Sequence, residues 1–134
     1  MKKILLNKNA IITGASQGLG LEIAKKFIVS GANVSICARN KSELNKAEEY
    51  LKSIANKQQK IIAFESDISI ESDIRKLINE SIKSFGSCHI LVNNAGIYGP
   101  KGEIENNDWN EWLKAIEINL FGSILMCREI IPHF

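Results

Sequence analysis

The chain has 134 residues, 45% hydrophobic and 24% charged, with a formal net charge of +2. That is enough chain for one domain with a buried core, and charges of both signs mixed along it exclude a basic stripe for nucleic acid or for an anionic membrane surface. Cys37, Cys88 and Cys127 are far apart and odd in number, with no C-x-x-C or His/Cys cluster, so neither a disulfide framework nor a metal site is expected.

The amino terminus, Met1-Lys2-Lys3-Ile4-Leu5-Leu6, begins like a leader peptide, but its apolar run stops at Asn7-Lys8-Asn9. That is too short for the hydrophobic region of a signal sequence. No later run approaches the length of a membrane span, and the free thiols suit a reducing compartment, so a cytoplasmic protein is expected.

Ala10-Ile11-Ile12-Thr13 reads as a short apolar strand. It feeds the turn Gly14-Ala15-Ser16-Gln17-Gly18-Leu19-Gly20 and then an amphipathic helix carrying Ile23, Ala24, Phe27 and Ile28. A strand that enters a helix through such a turn aims backbone N–H groups and the positive end of the helix dipole at one point, which is an anion site. Gly14 permits the tight exit from the strand, Gly18 a close approach of backbone to a phosphate, and Gly20 close packing of helix on strand.

Gly31 is placed to end that helix, and Val34-Ser35-Ile36-Cys37-Ala38 is a second strand, stopping at Arg39-Asn40. Ser42 is a candidate cap for a helix with Leu44, Ala47, Leu51 and Ile54 on one face. A third strand, Ile61–Glu65, leads into Ser66-Asp67-Ile68, and Ser69 is a candidate cap for a helix with Ile74, Leu77, Ile78, Ile82 and Phe85, ended by Gly86. The fourth strand, His89–Asn93, runs into Asn94-Ala95-Gly96. After a loop containing Gly99, Pro100 and Gly102, Asn107 or Asp108 can cap one last helix through Trp112, Ile116, Leu120, Ile124 and Cys127, ending near Pro132.

Alternating strands and helices argue for an α/β fold with a doubly wound parallel sheet of Rossmann type covered on both faces. Right-handed crossovers and the order 3-2-1-4 make strands 1 and 4 neighbours at the topological switch point, where ligands of such sheets bind. The turn after strand 1 and Asn93-Asn94-Ala95-Gly96 then flank one crevice, with Thr13 able to tie them together by a hydrogen bond.

These pieces resemble the amino-terminal part of the short-chain dehydrogenase/reductase family, in its single-domain type with T-G-x-x-x-G-x-G. The likeness rests on Thr13–Gly20, the Asp67-Ile68 pair, Asn93-Asn94-Ala95-Gly96, and Asn119 within Ile118-Asn119-Leu120-Phe121-Gly122, in family order over nearly the whole chain. It implies that Asp67 bonds the adenine amino group, with Ile68 beside the ring. Ser16 and Leu19, in the loop that also holds Gly14, Gln17, Gly18 and Gly20, would meet the ribose and pyrophosphate. Asn94, Ala95 and Gly96 would line the adenosine-ribose side, Asn93 would support the central strands, and Asn119 would kink its helix and hold a water in the proton relay.

Cofactor choice turns on the end of strand 2, where an NAD site places an acid. Ala38 stands at that position, followed by Arg39 and Asn40. A guanidinium suits a 2′-phosphate, so NADP is expected over NAD, although Gln17 stands where the family has its other basic residue. The resemblance further implies hydride transfer between nicotinamide and a small alcohol or carbonyl substrate, and a homo-oligomer, dimer or tetramer, for the complete protein.

The family's catalytic Tyr and Lys, four residues apart, and its upstream Ser have no match in this chain. Tyr98-Gly99-Pro100-Lys101 is one residue short and cannot hold both side chains on one helix face. Residues 1–134 are therefore expected to form one incomplete dinucleotide-binding domain, truncated before a fifth strand, inactive alone and prone to associate. A non-catalytic dinucleotide-binding module is the alternative. A sugar-nucleotide epimerase is disfavoured, since those usually show G-x-x-G-x-x-G.

Overall fold

Residue alternation in the strands builds two cores. The computed structural model describes residues 2–134; Met1 lies outside the described residues. In β1 (Asn9–Thr13) every residue is buried. Ile12 packs with Val34, Ile36, Ala24, Ile28, Leu44 and Leu51 on one face of the sheet, and Ile11 with Cys37, Ile74, Leu77 and Met126 on the other. Successive strand side chains point to opposite faces, so a short apolar run with no polar face requires helices on both sides. Those are α1 (Gly18–Val29) and α2 (Lys41–Ile54) on the first face, and α3 (Glu71–Phe85) with α5 (Ser123–Ile130) on the second.

The sheet runs β3 (Ile61–Glu65), β2 (Asn33–Ala38), β1, β4 (Ile90–Val92), and all three pairings are parallel. The order 3-2-1-4 read from the sequence is the observed one. β1 and β4 are in register from Ala10 against Ile90 to Ile12 against Val92. A buried polar pair between sheet and helix, Ser35 with Ser81, is satisfied: the hydroxyls are 2.7 Å apart, and that of Ser81 donates to Leu77 O.

Three local expectations are corrected. The cap of α2 is Asn40, whose Oδ1 accepts from Glu43 N–H at 3.0 Å, because the helix starts one residue before Ser42. Ile70 stands at the cap position of α3, and Ser69 instead donates both its N–H and its hydroxyl to Asp67 Oδ1. The last helix is not continuous: α4 (Trp109–Ile116), capped by Asp108, passes into a π-helical segment, Glu117–Gly122, before α5.

The amino-terminal residues fold back on α1 and β2, with Leu5 N–H donating to Ser30 O and Asn33 N–H to Lys8 O. No helix among the described residues is long and apolar enough to cross a membrane. Leu113, Ile116, Leu120 and Ile124 form a half-exposed apolar stripe, and β4 has a partner on one side only.

Candidate functional site

The carboxyl ends of β1 and β4 are stitched together by one buried hydroxyl. Thr13 Oγ1 accepts from the N–H groups of Asn94 at 3.1 Å and Ala95 at 3.0 Å, and donates to Val92 O at 3.5 Å. The Asn94 carboxamide answers by donating to Thr13 O and Gly14 O, at 3.1 and 2.9 Å. The two turns touch so closely that a Cβ on Gly14 would lie 2.7 Å from Ala95 Cα, and Gly14 also holds φ at +63°. A Cβ on Gly20 would collide with Asn94 Nδ2 and Gly14 O. Only glycine at both positions leaves room for this seam.

Beside the seam stands the amino end of α1. Gln17, at the cap position, is extended and its side chain makes no cap bond. Among the described residues the first-turn N–H groups thus have no side-chain acceptor, and with the helix dipole they favour an anion. Gly18 has open space around it, and Leu19 is 70% exposed.

The far wall comes from the ends of β2 and β3. Ser66 N–H donates to Ala38 O at 3.1 Å, which keeps the Asp67-Ile68 turn against Arg39 and Asn40. Burial works against ionisation of Asp67. The bonds from Ser69 and the positive fields of Arg39 and Lys114 outweigh it and hold the carboxyl below its ordinary range. Both Ser69 bonds go to Oδ1, so Oδ2 has no donor among the described residues and is open to a ligand. Cys37 closes the floor; burial, only partly offset by the Gly14 N–H, pushes its thiol up to about 12, so it is unreactive.

These walls enclose a cleft of about 270 Å³. From the residues named in the sequence, Gly14, Ser16 and Gln17 line one side, Arg39, Asn40, Asp67 and Ile68 the opposite side, and Asn94, Ala95 and Gly96 the end. Gly18, Leu19 and Gly20 stand at the start of α1 rather than in the lining. Asn93 is exposed outside the cleft, its amide 3.4 Å from Cys127 Sγ. Cys37, Ser66, Ile97 and Ile118 also line the cleft and escaped the sequence reading. Three of these adjoin a named residue, and that adjacency was the available signal.

Asn119 lies in the π segment. Its Oδ1 accepts from Ile97 N–H and its Nδ2 donates to Ile97 O, both at 2.8 Å. The side chain acts as a two-point clamp on the loop that follows Gly96.

Residues 8–134 match the family profile described as short chain dehydrogenase. A relative from Caenorhabditis elegans, "Dehydrogenase/reductase SDR family member 4", is 36% identical over 94% of this chain and 48% of its own length. The 3-ketoacyl-(acyl-carrier-protein) reductase of Brucella melitensis, solved with NADH, is 35% identical at a TM-score of 0.88, over 97% of this chain and 51% of that one. A metagenomic short-chain oxidoreductase solved with NADP is 29% identical at a TM-score of 0.86, over 96% and 57%. The chain thus spans about half the length of the relatives it matches.

Proposed function

Because this chain belongs to the short-chain dehydrogenase family, we propose that it is the cofactor-binding half of an NADP(H)-dependent oxidoreductase. The observation that carries this reading is the Thr13 seam, which sets the uncapped amino end of α1 beside the small-residue turn Asn94-Ala95-Gly96. Three features of the cleft support a dinucleotide. Gly14 and Gly20 leave no bulk between the two turns, the α1 N–H groups suit a pyrophosphate, and Asp67 Oδ2 is an open acceptor for an adenine amino group.

Arg39 and Asn40, with no acid at Ala38, favour a 2′-phosphate over a free 2′-hydroxyl. Within the bound dinucleotide, the nicotinamide carries the hydride to or from an alcohol or carbonyl substrate. This chain's residues bind and orient it: Ser16 and the α1 amino end hold the phosphates, Ile68 and Ile118 flank the adenine, and Asn119 fixes the turn on which the ribose rests. No Tyr-x-x-x-Lys occurs in the 134 residues, so this chain alone binds cofactor without turning over substrate. The unpaired thiols Cys37, Cys88 and Cys127 suit a reducing cytoplasm.

Fluorescence titration with NADPH and NADH tests the reading. NADPH binds more tightly than NADH, and Arg39→Asp reverses the order. No binding of either at about 1 mM would overturn it.

A further inference from the structure

The π-helical residues Glu117–Gly122 reach both turns that wall the cleft. At one point Asn119 clamps Ile97. At the other, buried Gly122 lies directly on Ile68: a methyl added to it would stand 2.8 Å from Ile68 Cδ1, 3.1 Å from Cγ1 and 3.0 Å from Ile68 O. Ile118, in the same segment, lines the cleft. Ile68 is also a cleft residue and follows Asp67. It is only 5% exposed and packed in one cluster with Ile74, Leu77, Ile118 and Met126, so its freedom to yield is small.

The helices on either side are tied together as well. Arg128 pairs with Glu71 at the start of α3, and Arg75 with Glu129 on α5. These surface pairs link α5 to the start of α3 and add a modest restraint on their spacing.

We infer that Gly122 is a positioning residue for the nucleotide cleft: having no side chain, it lets the π segment seat against Ile68 and fixes where Asp67 and Ile68 stand at the adenine end. The identity of the ligand rests on the proposed cofactor-binding reading; the contact itself does not. π-helical insertions recur at functional sites, and here the insertion touches the cleft from behind at both turns.

The test is Gly122→Ala in the 134-residue chain, followed by NADPH titration, amide ¹H–¹⁵N spectra and thermal melting. Overpacking at this contact moves the wall, so the amides of residues 66–69 shift and the NADPH Kd rises about tenfold at temperatures well below melting. Adding Ile68→Val, which deletes Cδ1, the nearest of the three atoms, recovers most of the amide shift at residues 66 and 67. Unchanged amides and Kd, a lowered Tm with an unchanged Kd, or no recovery with Ile68→Val would each overturn the inference. If Gly122→Ala does not fold, Ile68→Ala decides: the amides of residues 121–123 shift if the contact transmits, and stay fixed if it does not. Wild-type chain that binds neither NADPH nor NADH sinks the cofactor reading, while the amide shifts still judge the contact.

Discussion

Thr13 is invisible from solvent yet sets the geometry of the cleft. Its hydroxyl is the only side-chain acceptor that the structure gives to the N–H groups of Asn94 and Ala95 among the described residues. Thr13→Val keeps the shape, leaves the Ala95 N–H unmet and leaves the Asn94 N–H with Val92 O alone, which lowers stability in urea by about 1–3 kcal/mol; Thr13→Ser, which keeps the oxygen, loses much less. Asp67 makes a different prediction. Its folded-state pKa lies below the ordinary 3.8, so its ionised form stabilises the fold above that value, and the contribution drains away as pH falls through the depressed value. Wild type therefore loses more stability than Asp67→Asn between about pH 5 and about pH 3. A gap in Tm between the two that does not change with pH would contradict the assignment.

At the level of elements, strand identity and order were legible because they depend on patterns internal to short segments. Ile11 and Ile12 are both apolar, so β1 had to be covered on both faces, and the helices between successive strands forced parallel pairing. Both loops of the cleft were legible from glycines and asparagines at fixed offsets. What escaped was decided by contacts between distant segments. Ser42 and Ser69 have the chemistry of caps, but Asn40 sits at the phase where α2 begins, and the Ser69 hydroxyl is taken by Asp67. In the last helix the family resemblance implied a kink at Asn119, but the extent of the π segment goes with Asn119 meeting Ile97 and Gly122 meeting Ile68, and no periodicity within residues 109–130 encodes either meeting. Asn93 shows the same limit: the motif named it, while its surroundings leave it on the surface against Cys127.

Taken whole, the molecule leaves two kinds of surface uncovered. β4 is an edge strand with one partner, and Leu120, Phe121 and Ile124 are about half exposed along the last helices. Open edges and contiguous apolar surface favour association. Sedimentation velocity at about 50 μM is expected to find this chain self-associated, at a concentration where modest interfaces already assemble. A single monomeric species there would contradict this.

The seam between β1 and β4 also governs when the cleft can come into being. Thr13 meets Asn94 and Ala95 at sequence separations of 81 and 82, whereas β2 lies only one helix beyond β1. Closing so long a loop is entropically costlier, and slower, than forming the local βαβ units. A growing chain that stops short of Ile90 holds the sequence of three of the four strands, but it lacks β4 and the Asn94-Ala95-Gly96 turn that closes the end of the cleft. Closure of the cleft is thus expected late in the folding of this chain.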